Sequence, residues 1–281
     1  MKKNFLLFTL MSLGLILGCS SDDDNDPTGP QGVNRTPNLQ AVGDSANDIL
    51  SNDEFSRLVV EIAYVQGYRP TDEAMAVFEA FLRERTFKDV IEIQYLPLPS
   101  PNQEDLTIQE VANLEDENRT AYNDGETLAI YIYFADAPDE TDEEVSGIVT
   151  LGSVYRNTSM VVYETTVRNL ESRSPLVTLA DVESATLNHE FGHLFGLVDI
   201  GSPPVNDHEG VQIDDNGDPV LDGNGNPVGN NHCNVEGCLM RAELQFGSGI
   251  MGMLETMKSK GLAIPVLDHE CILDLQANGG R

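Results

Sequence analysis

The stretch His189-Glu190-Phe191-Gly192-His193-Leu194-Phe195-Gly196 constrains this chain more than any other. It reads H-E-x-x-H-x-x-G. Histidines four apart on a helix lie on one face, a turn apart, so both imidazoles can reach a single metal ion. Glu190 lies between them and turns its carboxylate toward the same space, where a metal-bound water would sit. Two histidines are too few to hold a catalytic zinc, so a third ligand must come from elsewhere. Gly196 offers the means, because glycine adopts the left-handed conformation that ends a helix and turns the chain back. The flanks support a helix from Thr178 to Leu197, with apolar residues at Leu179, Val182, Leu187, Leu194 and Phe195. Thr178 suits the N-cap, and Asp181 stands three residues on, where a capping acid belongs.

The chain ahead of this helix predicts strands and helices in alternation. Phe55 to Val65, Val90 to Leu96 and Thr127 to Ala135 read as strands, rich in β-branched and aromatic residues. Gly147 to Tyr155 and Ser159 to Thr165 read as two more, with Arg156-Asn157-Thr158 as the turn. Pro97, Pro99 and Pro101 are expected to stop the second strand. Helices are expected from Pro70 along the stripe Ala74, Val77, Phe78, Phe81 and Leu82, and from Glu104 to Tyr122. Gly249 to Lys260 and Pro265 to Gln276 read as closing helices, with Gly261 as a C-cap between them. The pattern is that of an α/β domain with a mixed sheet, an active-site helix and C-terminal helices.

Asp199 to Asn231 is polar and reads as an insertion, in which Asn216-Gly217-Asp218-Pro219-Val220 recurs as Asn224-Gly225-Asn226-Pro227-Val228. Asn-Gly favours tight turns, so a hairpin is the first expectation. The oxygens of Asp215, Asp218, Asp222, Asn224 and Asn226 offer a second, Ca²⁺, although the spacing is not that of an EF-hand.

The insertion is followed by His232-Cys233-Asn234-Val235-Glu236-Gly237-Cys238-Leu239-Met240, or H-C-x4-C-x-M. With H-E-x-x-H-x-x-G this resembles the archaemetzincins, a branch of the metzincin zinc metallopeptidases, in which the two pieces join directly. The resemblance covers Thr178 to Met240 and extends toward Cys271. It implies a zincin fold, His189, His193 and His232 as ligands of a catalytic zinc, Glu190 as general base, and Met240 as the turn beneath the metal. It also implies a second zinc held by the cysteines. Two departures stand out. Ile200 to Asn231 separates the halves and leaves Asp199 in the third-ligand spacing of the snapalysin type of metzincin, so Asp199 competes with His232, and His208 is a weaker third candidate. The later C-x-x-C of the family is replaced by Asp268-His269-Glu270-Cys271. Cys233, Cys238 and Cys271 with either Asp268 or His269 then make the second set, and a Cys233–Cys238 disulfide is its rival.

At the N-terminus, Lys2 and Lys3 precede an apolar run from Phe5 to Leu17, a secretory signal too short for a permanent span. Ile16-Leu17-Gly18-Cys19 resembles the bacterial lipobox, which implies a signal peptide of residues 1–18 and acylation of Cys19. The Ser20-Ser21-Asp22-Asp23-Asp24 that follows resembles the surface-export signal of Bacteroidetes lipoproteins. Residues 19–52 are expected to be a flexible acidic tether, and 53–281 the metallopeptidase domain. The formal charge of −31 excludes nucleic acid as a partner. The expectation is a zinc peptidase that acts on peptides or proteins from the outer membrane or cell surface, held there by its lipid. The rival is a lipoprotein adhesin or scaffold in which metal only holds the fold.

Overall fold

The computed structural model of the protein describes residues 32–142, 149–214, 216–244 and 247–281. The expected signal peptide and Cys19 lie outside them. A short helix α1 (Ala46–Leu50) is followed by β1 (Arg57–Val65), α2 (Asp72–Arg85), β2 (Val90–Leu98), α3 (Ile108–Asn118), β3 (Thr127–Phe134), β4 (Gly152–Arg156) and β5 (Ser159–Val162). Then come α4 (Glu164–Glu171), α5 (Leu179–Leu194), β6 (Glu209–Val211), β7 (Gly229–Cys233), α6 (Gly247–Ser259) and α7 (His269–Ala277).

Five strands form one mixed sheet in the order β2-β1-β3-β5-β4. All neighbours are parallel except β4, which runs antiparallel to β5 at the edge. Central strands of such a sheet are covered on both faces, and β3 shows it. Leu128, Ile130, Ile132 and Phe134 face the core shared with α2 and α5, whereas Tyr131, Tyr133 and the following Ala135 face the smaller core under α3. This is the α/β architecture expected from the alternation of elements.

Several boundaries differ from the sequence reading. Pro97 does not stop β2, which continues to Leu98. At a sheet edge the missing N–H can face solvent, so proline is tolerated there. The strand expected to reach Thr165 ends at Val162, and α4 takes over at Glu164. The tether is also shorter than expected. Ile49 and Leu50 of α1 are fully buried in the main core. Asn157 Nδ2 donates to Pro37 O at 2.7 Å and to Ser45 Oγ at 2.8 Å, and Asn38 Nδ2 donates to Ala129 O at 3.0 Å. Side-chain amides thus dock a polar segment that offers few apolar residues, which is why composition reads it as a leash.

Candidate metal centre

Helix α5 carries the two histidines of the central motif. Its start is the expected capping box: Asp181 N donates to Thr178 Oγ1 at 3.3 Å, and Thr178 N donates to Asp181 Oδ2 at 2.9 Å. The helix is buried on all sides from Val182 to Leu194, so it is a core element and not a surface stripe. It ends at Gly196, whose φ of 73° is the left-handed turn expected of it. The next residues, Val198 and Asp199, also adopt positive φ, and the chain leaves toward the insertion.

The chain returns on β7 and brings His232 to the helix. One ring nitrogen from each of His189, His193 and His232 lies within 4.8 Å of the others. The rings of His189 and His193 meet edge-on with centroids 4.9 Å apart, and His232 lies 5.3 Å from His189 and 5.1 Å from His193. His189 Nδ1 pairs with Leu239 O at 2.7 Å, and His232 Nδ1 with Asn230 O at 2.6 Å. A carbonyl only accepts, so each of these bonds puts the proton on Nδ1 and fixes the tautomer. His189 Nε2 is then a buried lone pair with no hydrogen-bond partner. Burial, then the neighbouring His232, hold His189 down to about 3, and burial keeps His193 well below the usual imidazole range. Both rings are neutral, the form that binds metals.

Glu190 is buried beside them, and neither carboxylate oxygen has a partner. Burial pushes its carboxyl up to about 8. His193 Nδ1 is also buried and unpaired. Each such group costs about 1–3 kcal/mol when left unsatisfied, so their concentration at one place needs a ligand to account for it. A divalent cation with a water fits: it takes imidazole lone pairs and gives Glu190 a donor. Gly152, at the start of β4, passes directly over Glu190. A Cβ built there would stand 2.6 Å from Glu190 Cγ. Nothing in the sequence marks this glycine. Met240 lies under the helix with its sulfur against Gly192, where an added Cβ would overlap it.

Asp199 is exposed and stands outside the histidine group. His208 is buried elsewhere, with Nε2 3.6 Å from Cys271 Sγ and 3.5 Å from Asp274 Oδ2. Position in the sequence put both near the metal, but the insertion carries His208 to α7 instead.

A second group gathers Cys233, Cys238, Asp268 and Cys271, again with ligand atoms within 4.8 Å of one another. All three cysteines are free and buried, so the Cys233–Cys238 disulfide is not formed. Cys233 Sγ donates to Asp268 Oδ2 at 2.9 Å, and the Cys238 and Cys271 sulfurs are 3.6 Å apart. Hydrogen bonding from Cys233 and Cys271 holds Cys238 down to about 5. Asp268 does two things at once. Its Oδ1 caps α7 by accepting from Glu270 N at 2.6 Å and Cys271 N at 3.0 Å, and its Oδ2 turns to the sulfurs. His269, the other candidate, is exposed and takes no part in the group. Three sulfurs and one carboxylate match the tetrahedral S/O donor set that zinc accepts.

The calcium expectation gains no support among the described residues. Asp222 Oδ1 is occupied by Asn224 N and Asn226 N, both at 2.8 Å, in a local turn. Asp214 makes the same turn with Asn216 N and Asp218 N, both at 2.9 Å, and Asp215 lies outside the described residues. The repeated motif builds two successive tight turns.

Among solved structures the chain is similar to the archaemetzincin of Methanopyrus kandleri, at 17% identity and a TM-score of 0.44, over 79% of this chain and 96% of that one. No protein-family model matches the chain, and no curated protein does.

Proposed function

We propose that the protein is a zinc-dependent peptidase, with the zinc held by His189, His193 and His232. The observation that carries this reading is the buried, unpaired Glu190 carboxylate set beside three convergent histidines. Zinc held by these residues would supply a Lewis acid for the scissile carbonyl and for a water of lowered pKa. Glu190 accepts the proton of the attacking water and delivers it to the leaving amine nitrogen. The carbonyls of Leu239 and Asn230 keep the rings of His189 and His232 turned toward the metal. Among the described residues β4 is the outer strand of the sheet and packs beside α5, and such an edge suits an extended peptide. Cys233, Cys238, Asp268 and Cys271 hold a second zinc with a structural role. Peptide or protein substrates are part of the proposal, as is the lipid anchor at Cys19, which mass spectrometry of the mature N-terminus decides.

Glu190→Gln is the direct test. It removes the base and leaves every proposed zinc ligand in place. Cleavage of a peptide library is expected to fall by about 10²–10⁴ in rate, with zinc content unchanged. Full activity in that variant overturns the mechanism. Zinc bound at the histidines of a protein that cleaves no peptide would favour a purely structural metal.

A further inference from the structure

The two groups of metal-binding residues are joined by one loop, from His232 to Met240. It is tied to the histidine centre in three ways. His232 is the chain neighbour of Cys233, so one backbone unit links a proposed ligand of each centre. Leu239, the neighbour of Cys238, gives its carbonyl to His189 Nδ1 at 2.7 Å. Met240 lays its sulfur against Gly192, midway between Glu190 and Leu194 on α5. The ends of the loop are tied together, since Cys233 N donates to Met240 O at 2.7 Å. The Leu239 peptide is held on its other side by Leu239 N donating to Val266 O at 2.9 Å, two residues before Asp268.

From this connectivity we propose that the cysteine–aspartate centre sets the metal affinity of the histidine centre, with Leu239 as the positioning residue between them. The inference rests on the zinc reading given above. A metal bound by Cys233, Cys238, Asp268 and Cys271 pins both ends of the loop to α7. The pinned loop fixes where His232 stands and aims the Leu239 carbonyl that orients His189. With the cysteine centre empty, the loop keeps its backbone hydrogen bonds but loses its attachment to α7 through the metal. Two of the three histidines are then less well ordered for binding. Loss of one group that orients a metal-bound histidine typically costs about 10–100-fold in metal affinity. Coupling between two binding sites is reciprocal, so filling the histidine centre must strengthen the cysteine centre by the same factor.

Two variants of the full chain test this from opposite sides. Asp268→Asn keeps an N-cap acceptor for α7 and removes the anionic ligand, while touching none of the histidines. His193→Ala empties the histidine centre and leaves the loop and the cysteines intact. Zinc affinity at each centre is measured by competition with a chromophoric chelator, and circular dichroism confirms the fold. Asp268→Asn is expected to weaken zinc at the histidines by about 10–100-fold, and His193→Ala to weaken zinc at the cysteines by a similar factor. Either variant suffices if the other does not fold. Unchanged affinity at the untouched centre overturns the coupling while leaving the peptidase proposal in place. Wild-type protein that binds no zinc at the histidines overturns the peptidase reading itself.

Discussion

Glu190 and the two histidines around it were legible because their geometry is local. A spacing of four on a helix is a statement about one turn of backbone, and it needs no knowledge of the rest of the chain. His232 was legible only through its neighbours, Cys233, Cys238 and Met240, whose spacing survives the insertion. His208 was misplaced for the converse reason, since nothing local says that a buried histidine in a polar loop will meet Cys271. Gly152 left no signal at all, because its role is to have no side chain at a point where β4 crosses the helix. That role is testable. In Gly152→Ala the new methyl would stand 2.6 Å from Glu190 Cγ and 3.1 Å from its Cδ, with Val161 O also at 3.1 Å. The carboxylate must move aside. On the function proposed above, displacing the general base in this way costs about 10²-fold, so kcat is expected to fall by roughly that factor with zinc content retained. Metal analysis beside steady-state kinetics checks it, and an unaltered kcat would show that Glu190 has room to spare.

Elements with a strong pattern of their own, such as β1, β3 and the capped α5, were read correctly to within a few residues. α4 was missed. Its sequence, Glu164-Thr165-Thr166-Val167-Arg168-Asn169-Leu170, begins with β-branched residues that continue the strand pattern of β5. Tertiary packing decides otherwise, because Val167 and Leu170 enter the main core, and Arg168 Nε donates to Glu164 Oε1 at 2.6 Å one turn back. Folding α4 against α5 carries a cost. Burial, and then the facing Glu183, push the Glu164 carboxyl up to about 9, while Glu183 accepts from Thr71 N at 3.0 Å. The sign follows from linkage. Between the unfolded pKa, near 4.5, and about 9, the folded chain keeps a proton that the unfolded chain has released. Its contribution to stability is therefore complete in acid and drains away as pH rises through that window. Glu164→Gln removes the titrating group and keeps the shape. It is expected to flatten this part of the pH profile and to be more stable than wild type at pH 8. Urea unfolding at pH 5 and pH 8 measures both slopes, and parallel profiles for the two proteins would refute the assignment.

At the scale of the whole molecule, the sequence located the insertion but not its attachment. Its polar composition marked it as outside the core, and its repeated Asn-Gly turns were correctly read as hairpin-like. Its anchor was hidden, because the anchoring bonds join residues distant in sequence: Val205 N donates to Asp274 Oδ1 and Asn206 Nδ2 to Glu270 Oε2, both at 2.7 Å, and Asn234 N donates to His208 O at 2.8 Å. These bonds divide the insertion into two parts with different expected roles. Residues 200–211 and 229–231 hold the path that returns His232 to the helix. Among the described residues, 212–214 and 216–228 extend past the last β6–β7 pair, Val211 with Gly229, and bond to one another: Val220 N donates to Gln212 O at 2.9 Å, and Val228 N to Val220 O at 2.8 Å. Replacing residues 212–228 by Asn-Gly should therefore leave the ladder closed by a turn suited to it. A shorter loop is easier to close, by about 0.6 kcal/mol for each halving of its length. The shortened protein is expected to melt no lower than wild type and, on the function proposed above, to keep zinc at the histidines and its peptidase activity. Removing residues 202–231 instead should cost the histidine-centre zinc, because His208 and the bonds to α7 go with them. Zinc content and thermal unfolding of the two deletions decide between these roles: if the shorter deletion also loses zinc, the outer turns belong to the frame of the metal centre and not to its periphery.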